Sequence, residues 1–161
     1  MTEQEYFNRG KLLNIAVAEI GETEHPAGSN LCKYNRWFYG KDSGGAWCAT
    51  FIMWVFDQAG CPFPMADWRR GYASVPNLKK ARKAEIVKEP MGGDLVIFEF
   101  NGKPLPDHIG IFEKWEEEGK TFWCIEGNTS DKGSQSNGGA VLRKLRNVKL
   151  VDCFISPREL R

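Results

Sequence analysis

The sequence is short of several things, and each shortage closes a class of function. No Cys-x-x-Cys pair occurs among the five cysteines at 32, 48, 61, 124 and 153, so no zinc knuckle is encoded, and the odd count excludes a fully paired disulfide framework. Neither sign of charge is in excess. Lys and Arg number 22 against 21 Asp and Glu, a net charge of +1, which gives no electrostatic case for nucleic acid. No apolar run reaches the length of a membrane span, and Met1-Thr2-Glu3-Gln4-Glu5-Tyr6 is acidic and polar where a secretion leader is basic and then apolar. The expectation is synthesis in the cytoplasm without a signal peptide, and no membrane partner. Histidine is scarce as well: only His25 and His108 occur.

What is present is ordinary globular composition, 42% hydrophobic and 27% charged over 161 residues, enough for one core and hence one domain spanning 1–161. One stretch organises it: Gly44-Gly45-Ala46-Trp47-Cys48-Ala49-Thr50-Phe51-Ile52-Met53-Trp54-Val55-Phe56. A glycine turn breaks into an apolar helical pattern, with a cysteine where the helix begins. First-turn amides and the positive end of the helix dipole stabilise a thiolate there. The competing reading of Cys48 is a small buried hydrophobe, the commonest fate of a free cysteine.

Around that stretch the apolar period predicts an N-terminal amphipathic helix over 3–20, stopped by Gly21. A loop follows over 22–45, rich in Pro, Gly, Ser and Asn and carrying Tyr34, Trp37, Phe38 and Tyr39. The buried helix runs over 48–59, ended by Gly60 and Pro62. Residues 64–83, with Trp68, Tyr72 and the basic run Lys79-Lys80-Ala81-Arg82-Lys83, read as a short solvated helix. After Gly92-Gly93-Asp94 the period becomes extended, with strands expected at 95–98, 108–115, 121–125, 141–145 and 148–155. Helices first and strands later predict an α+β fold, with N-terminal helices packed on one face of an antiparallel sheet.

A thiol nucleophile needs a base within hydrogen-bond reach. His25 lies in the Pro/Gly-rich loop. His108 opens a strand, and rigid elements position reacting groups better than loops do. The charged turn Glu116-Glu117-Glu118-Gly119-Lys120 makes 108–115 and 121–128 a hairpin. A turn centred near 118 mirrors 108 on 128, and a modest shift gives 126. Both carry polar groups, Glu126 and Asn128, on one side-chain face. Either can accept the second imidazole N–H, as the third member of a triad does.

Taken in order, Ala46-Trp47-Cys48-Ala49-Thr50-Phe51-Ile52-Met53-Trp54, Gly93-Asp94-Leu95-Val96-Ile97-Phe98, Asp107-His108-Ile109-Gly110-Ile111 and Ile125-Glu126-Gly127-Asn128-Thr129 resemble the motifs of the CHAP domain family. These are the cysteine, histidine-dependent amidohydrolases/peptidases, many of them phage endolysins or bacterial wall hydrolases. The resemblance implies a papain-like fold and a Cys/His/Glu or Cys/His/Asn triad: Cys48 as nucleophile, His108 as base, Glu126 as the orienting group and Asn128 beside it. It also implies bacterial peptidoglycan as the substrate and release to the wall by a holin. Trp47, Tyr34 and Trp37 are the candidates for a substrate groove. Some family members bind calcium through an acidic loop before the nucleophile. The matching stretch here, Asn30-Leu31-Cys32-Lys33-Tyr34-Asn35, has no carboxylate, and Asp42 alone supplies too few oxygen ligands, so no metal or other cofactor is expected.

The chemistry so implied is acyl transfer, with the backbone N–H of Cys48 as the first oxyanion donor and a side chain of the preceding loop as the expected second. Cys61, Cys124 and Cys153 read as packing residues, Cys32 as a loop thiol, Asp94 as a strand cap and Asp107 as turn chemistry. A monomer without a separate wall-binding domain is expected. Two alternatives stand beside this reading: a cytoplasmic cysteine amidase or peptidase that uses the same residues on small peptides, and a wall-binding or tail module that keeps the fold with an inactive site.

Overall fold

Residues 1–64, 71–102 and 105–161 are described by a computed structural model of the chain. Helix α1 spans Glu3–Ala18; Thr2 caps it by accepting from the Glu5 N–H (3.1 Å), and Glu3 and Glu5 place negative charge in the first turn. Helix α2, Lys33–Tyr39, falls inside the segment expected to be a loop. Seven residues make barely two turns, too short a helix to hold by itself or to stand out by its apolar period. Its hold is tertiary, through the buried ring of Tyr34 and the buried amide of Asn35. Helix α3, Cys48–Ala59, is the expected central helix; nine of its twelve residues are buried, which an all-round apolar helix requires. Gly60 ends it in the left-handed region, with φ 79°.

The sequence between 64 and 83 divides differently from the expected solvated helix. Trp68 lies outside the described residues. Helix α4, Val75–Ala81, follows, and Arg82, read as part of a solvated basic run, is only 1% exposed. Its guanidinium is inserted between Glu85 and Glu159, donates from Nε to the Tyr72 hydroxyl (3.0 Å), and lies over the Phe63 ring. A buried cation persists only with such partners.

Six strands form one antiparallel sheet: β1 Ile86–Val87, β2 Leu95–Phe98, β3 His108–Glu117, β4 Thr121–Thr129, β5 Ala140–Asn147 and β6 Val151–Ile155. Their spatial order is β1-β6-β2-β3-β4-β5, so β6 is inserted between β1 and β2. Residues 148–150, expected to open the final strand, form a 3₁₀ turn. The period-two alternation sorts the side chains. Leu95, Ile97, Ile109, Ile111, Ile125 and Ile155 face α1 and α3, while Val96, Phe98, Phe112, Phe122, Cys124 and Phe154 form a second aromatic core on the other face. The α+β expectation, with helices on one face of an antiparallel sheet, holds.

Two contacts position the helices on the sheet. A Cβ on Gly127 of β4 would lie 2.7 Å from Cβ of Phe51, so α3 rests directly on the strand backbone. Arg9 of α1 is buried and donates to Asp94 Oδ1 (2.7 Å), Gly92 O (3.0 Å), Glu5 Oε1 (3.0 Å) and Ser156 Oγ (3.0 Å). Asp94 does cap the strand start, accepting from the Met91 N–H (2.8 Å), but as a fully buried ion-pair partner rather than a solvated turn.

Candidate active site

Cys48 is the first residue of α3 and is 4% exposed. The residues before it owe their course to one amide. Asn35 Nδ2 donates to the carbonyls of Asn30 (3.1 Å), Ser43 (3.1 Å) and Gly45 (2.7 Å), and its Oδ1 accepts from the Thr50 hydroxyl (2.8 Å). That knot fixes the turn through Gly44 and Gly45 against the first turn of α3.

His108 opens β3 and is fully buried, its ring flanked by Phe98 and Phe100 with centroids 5.8 and 5.6 Å away. Its Nε2–H donates to Glu126 Oε2 at 2.9 Å. The other ring nitrogen, Nδ1, makes no hydrogen bond of normal geometry, while Cys48 is near enough to act on the ring together with Glu126. Burial pushes the imidazole pKa down, and Cys48 and Glu126 more than reverse this, lifting it from 6.5 to about 9.

The hairpin register sets this pairing. Ile111 lies opposite Ile125, which carried back along β3 puts position 108 opposite 128, as the mirror argument gives. The side chain that meets His108 is nevertheless the diagonal neighbour Glu126. Asn128 has turned away: its φ is 56°, β4 and β5 lose register between Glu126 and Thr129, and its amide exchanges hydrogen bonds with Asn137 and Gly139 of the following loop. Of the two candidate orienting groups, Glu126 is the one in contact with the imidazole.

Glu126 is completely buried. Arg146 of β5 grips it in a fork, Nε donating to Oε1 at 2.7 Å and Nη2 to Oε2. Burial alone would raise the carboxyl pKa; Arg146 and His108 bring it below the ordinary value. The guanidinium lies over Phe98 and Phe100, 5.4 and 5.0 Å from their centroids, and its Nη1 donates to Gln135 Oε1. Arg146 is the member of this cluster that sequence reasoning missed. In β5 it alternates with exposed Leu145 and Asn147, and no local pattern distinguishes it from a solvent-facing arginine.

Gly110 makes room for the carboxylate: a Cβ there would lie 2.4 Å from Cys124 Sγ and 2.8 Å from Glu126 Cγ. Gly110→Ala is expected to displace Glu126 and cost about 1–3 kcal/mol by overpacking. Chemical denaturation with activity assays on the folded fraction checks this; unchanged stability and activity would show that the slot is not tight.

The histidine also sets a pH dependence of stability. A folded-state pKa raised from 6.5 to about 9 means that folding favours protonated His108. The stabilisation is complete below about 6.5 and is lost as pH rises through about 9. The melting temperature of the wild type is therefore expected to fall across that interval, and that of His108→Gln to fall less. Equal slopes in the two proteins would contradict the shift.

Two of the three expected groove residues are corrected by burial. Trp47 is 0% and Tyr34 1% exposed. They stack on one another at 5.3 Å, Trp47 Nε1 donates to buried Glu24, and the Tyr34 hydroxyl donates to Glu19. An indole so committed neither meets a ligand nor supplies an oxyanion donor. Trp37 keeps part of its surface, but lines a shallow hollow with Met53, Asp57, Pro62 and Phe63, along α3 and away from Cys48. His25 is exposed and contacts Thr23 through its Nε2. Among the described residues no three of His, Cys, Asp or Glu gather as a metal-holding group; the Glu24 carboxylate receives the amides of Gly28 and Asn30.

A cysteine at a helix N-terminus near a sheet-borne imidazole and carboxylate, in an α+β fold, is the kind of arrangement that cysteine-and-histidine hydrolase folds share. The CHAP domain family model matches residues 40–128, more than half of the chain, and the chain belongs to that family. The crystal structure of the wild-type endolysin LysIME-EF1 has the same fold, with a TM-score of 0.55 over 92% of this chain at 14% identity. The chain spans 63% of that endolysin structure's length. No curated protein matches it in sequence.

Proposed function

We propose that the protein is a peptidoglycan hydrolase of the phage endolysin type that cleaves an amide bond with Cys48. The observation that carries this is the His108–Glu126 hydrogen bond inside the sheet, with Cys48 acting on the same imidazole. An imidazolium beside a thiol at a helix N-terminus is the arrangement that yields a thiolate nucleophile.

The reaction runs as acyl transfer. The sulfur of Cys48 attacks the carbonyl carbon, and the C=O electron pair moves to oxygen, where the N–H of Cys48, which as a first-turn amide has no partner within the helix, stabilises it. The oxyanion collapses, the C–N bond breaks, and the His108 proton passes to the leaving amine. Water then attacks the thioester, His108 takes its proton, and the C–S bond breaks to release the acid and restore the thiol. Glu126 orients His108 throughout; Asn128 acts on the loop after β4. The scissile amide is either the bond between the sugar lactyl group and L-Ala or one within the stem or cross-bridge peptide. In this reading the protein acts on the wall after holin-dependent release, as a monomer.

Mass spectrometry of digested Gram-positive peptidoglycan tests the proposal and identifies the bond. A lactyl end with a free L-Ala amine marks the amidase, and a new peptide amine marks the endopeptidase. A digest containing neither overturns the reading in favour of a small-peptide amidase or an inactive wall module.

A further inference from the structure

Arg146 carries a charge that the acyl-transfer scheme above does not use, and its burial needs an explanation. It is 6% exposed, on a strand that contributes no other residue to the site. Its fork occupies both oxygens of a carboxylate that has no access to water, and its face is covered by Phe98 and Phe100. We propose that Arg146 is a positioning residue of the thiol site, whose fixed positive charge lets Glu126 stay ionised whether His108 holds its proton or has given it away.

The inference rests on the thiol mechanism and follows from counting charges. With thiolate and imidazolium present, Cys48 and His108 cancel, and Glu126 and Arg146 cancel, so the buried site is neutral. When His108 passes its proton to the leaving amine, the imidazole becomes neutral and Glu126 would be a lone buried charge but for Arg146. Uncompensated burial of a carboxylate is among the costliest arrangements in a protein interior. Without Arg146 the His108–Glu126 pair would hold its proton more tightly, and the thiolate would leave the site with net negative charge. Removing a buried cation raises the proton affinity of every group around it. The titratable and charged groups facing the cluster are His108 on β3, Cys124 and Glu126 on β4, Cys48 on α3, and Glu113 more distantly.

The guanidinium shape serves a second purpose. Gln135 accepts an Nη1–H through its Oε1 at 2.9 Å and donates to the carbonyls of Ser130 and Gly133. The loop after β4 is therefore held by the same side chain that holds the carboxylate. Lysine carries the charge but cannot supply a fork to Glu126 and a third bond to Gln135.

The test is the pH profile of Cys48 alkylation by iodoacetamide, read by mass spectrometry on the Cys48 peptide so that the other four thiols do not contribute. It is run on wild type, Arg146→Met, Arg146→Lys and His108→Ala. The expected result is a midpoint shifted upward by about one pH unit or more in Arg146→Met, a tenfold loss of reactive thiolate on the rising limb. In Arg146→Lys the midpoint stays within about half a unit of the wild type, because the charge remains. A wild-type midpoint in Arg146→Met, with His108→Ala still slowing the reaction, overturns the role of Arg146 and leaves the thiol mechanism standing. An unactivated thiol in the wild type, unaffected by His108→Ala, overturns the mechanism and this role with it. Should Arg146→Met fail to fold, the double variant Glu126→Gln/Arg146→Met decides. Recovery of the fold supports charge compensation, since the uncompensated carboxylate is gone, and continued failure overturns it in favour of a packing role.

Discussion

Under the proposed thiol mechanism, Cys48→Ala is expected to reduce wall cleavage by roughly 10⁴-fold or more, to the floor of a dye-release assay, because the variant lacks the nucleophile of a covalent mechanism. The loss should come without unfolding. The substitution removes one sulfur atom from a site 4% exposed at a helix end, a small cavity costing on the order of 1 kcal/mol. The other thiols provide the control. Cys61, Cys124 and Cys153 are packed against core residues and Cys32 precedes α2, so Cys61→Ala or Cys153→Ser should retain cleavage within a few-fold. Initial rates normalised to folded protein decide the matter. A Cys48→Ala protein that keeps a tenth of the wild-type rate would show that the cleaving group lies elsewhere.

The largest expected loss of stability belongs to Arg9→Met. The variant leaves Asp94, with no solvent exposure, and largely buried Glu5 without their cation. It also removes the donors that Gly92 O and Ser156 Oγ use. Breaking a buried ion pair from one side costs about 3–5 kcal/mol, since the remaining charge is stranded in a medium that cannot solvate it. For a chain of 161 residues that corresponds to a fall of roughly 10 °C in Tm. The double variant Arg9→Met/Asp94→Leu should recover much of the loss, because it removes the stranded charge as well. Urea unfolding of the two variants measures both effects. A loss below about 1 kcal/mol in the single variant would mean that water reaches Asp94.

The parts of this molecule legible in its sequence are those whose physics is local. The apolar runs of α3 and β2 and the alternation in β3 state their own conformation, and the charged turn at 116–120 fixes the hairpin that brings 108 and 126 together. What escaped was held in place by distant partners. Helix α2 forms because Asn35 ties three carbonyls of the flanking segments, which no window over 33–39 contains. Arg82 and Arg146 turn inward because Glu159 and Glu126, 77 and 20 residues away, wait for them. Trp47 and Tyr34 presented the opposite difficulty. Aromatic residues near a candidate nucleophile suggest a ligand wall, but here the rings stack on each other and their polar tips are already bonded. Asn128 shared a face with His108 by period alone, and a left-handed backbone at 128 broke the period.

The place of β6 has a consequence for the order of events during synthesis. This strand fills an interior position between β1 and β2, so the ribosome must pass Ile155 before β2 acquires its second neighbour. Until then β2 presents an open edge and the Phe112–Phe154 contact between the two halves of the aromatic core is missing. A nascent chain thus carries Cys48 long before it has a continuous sheet to hold the His108 imidazole in place. The activation proposed for Cys48 would therefore require residues 151–155, and a ribosome-bound fragment ending before residue 151 should leave its thiol as inert as that of an unfolded peptide.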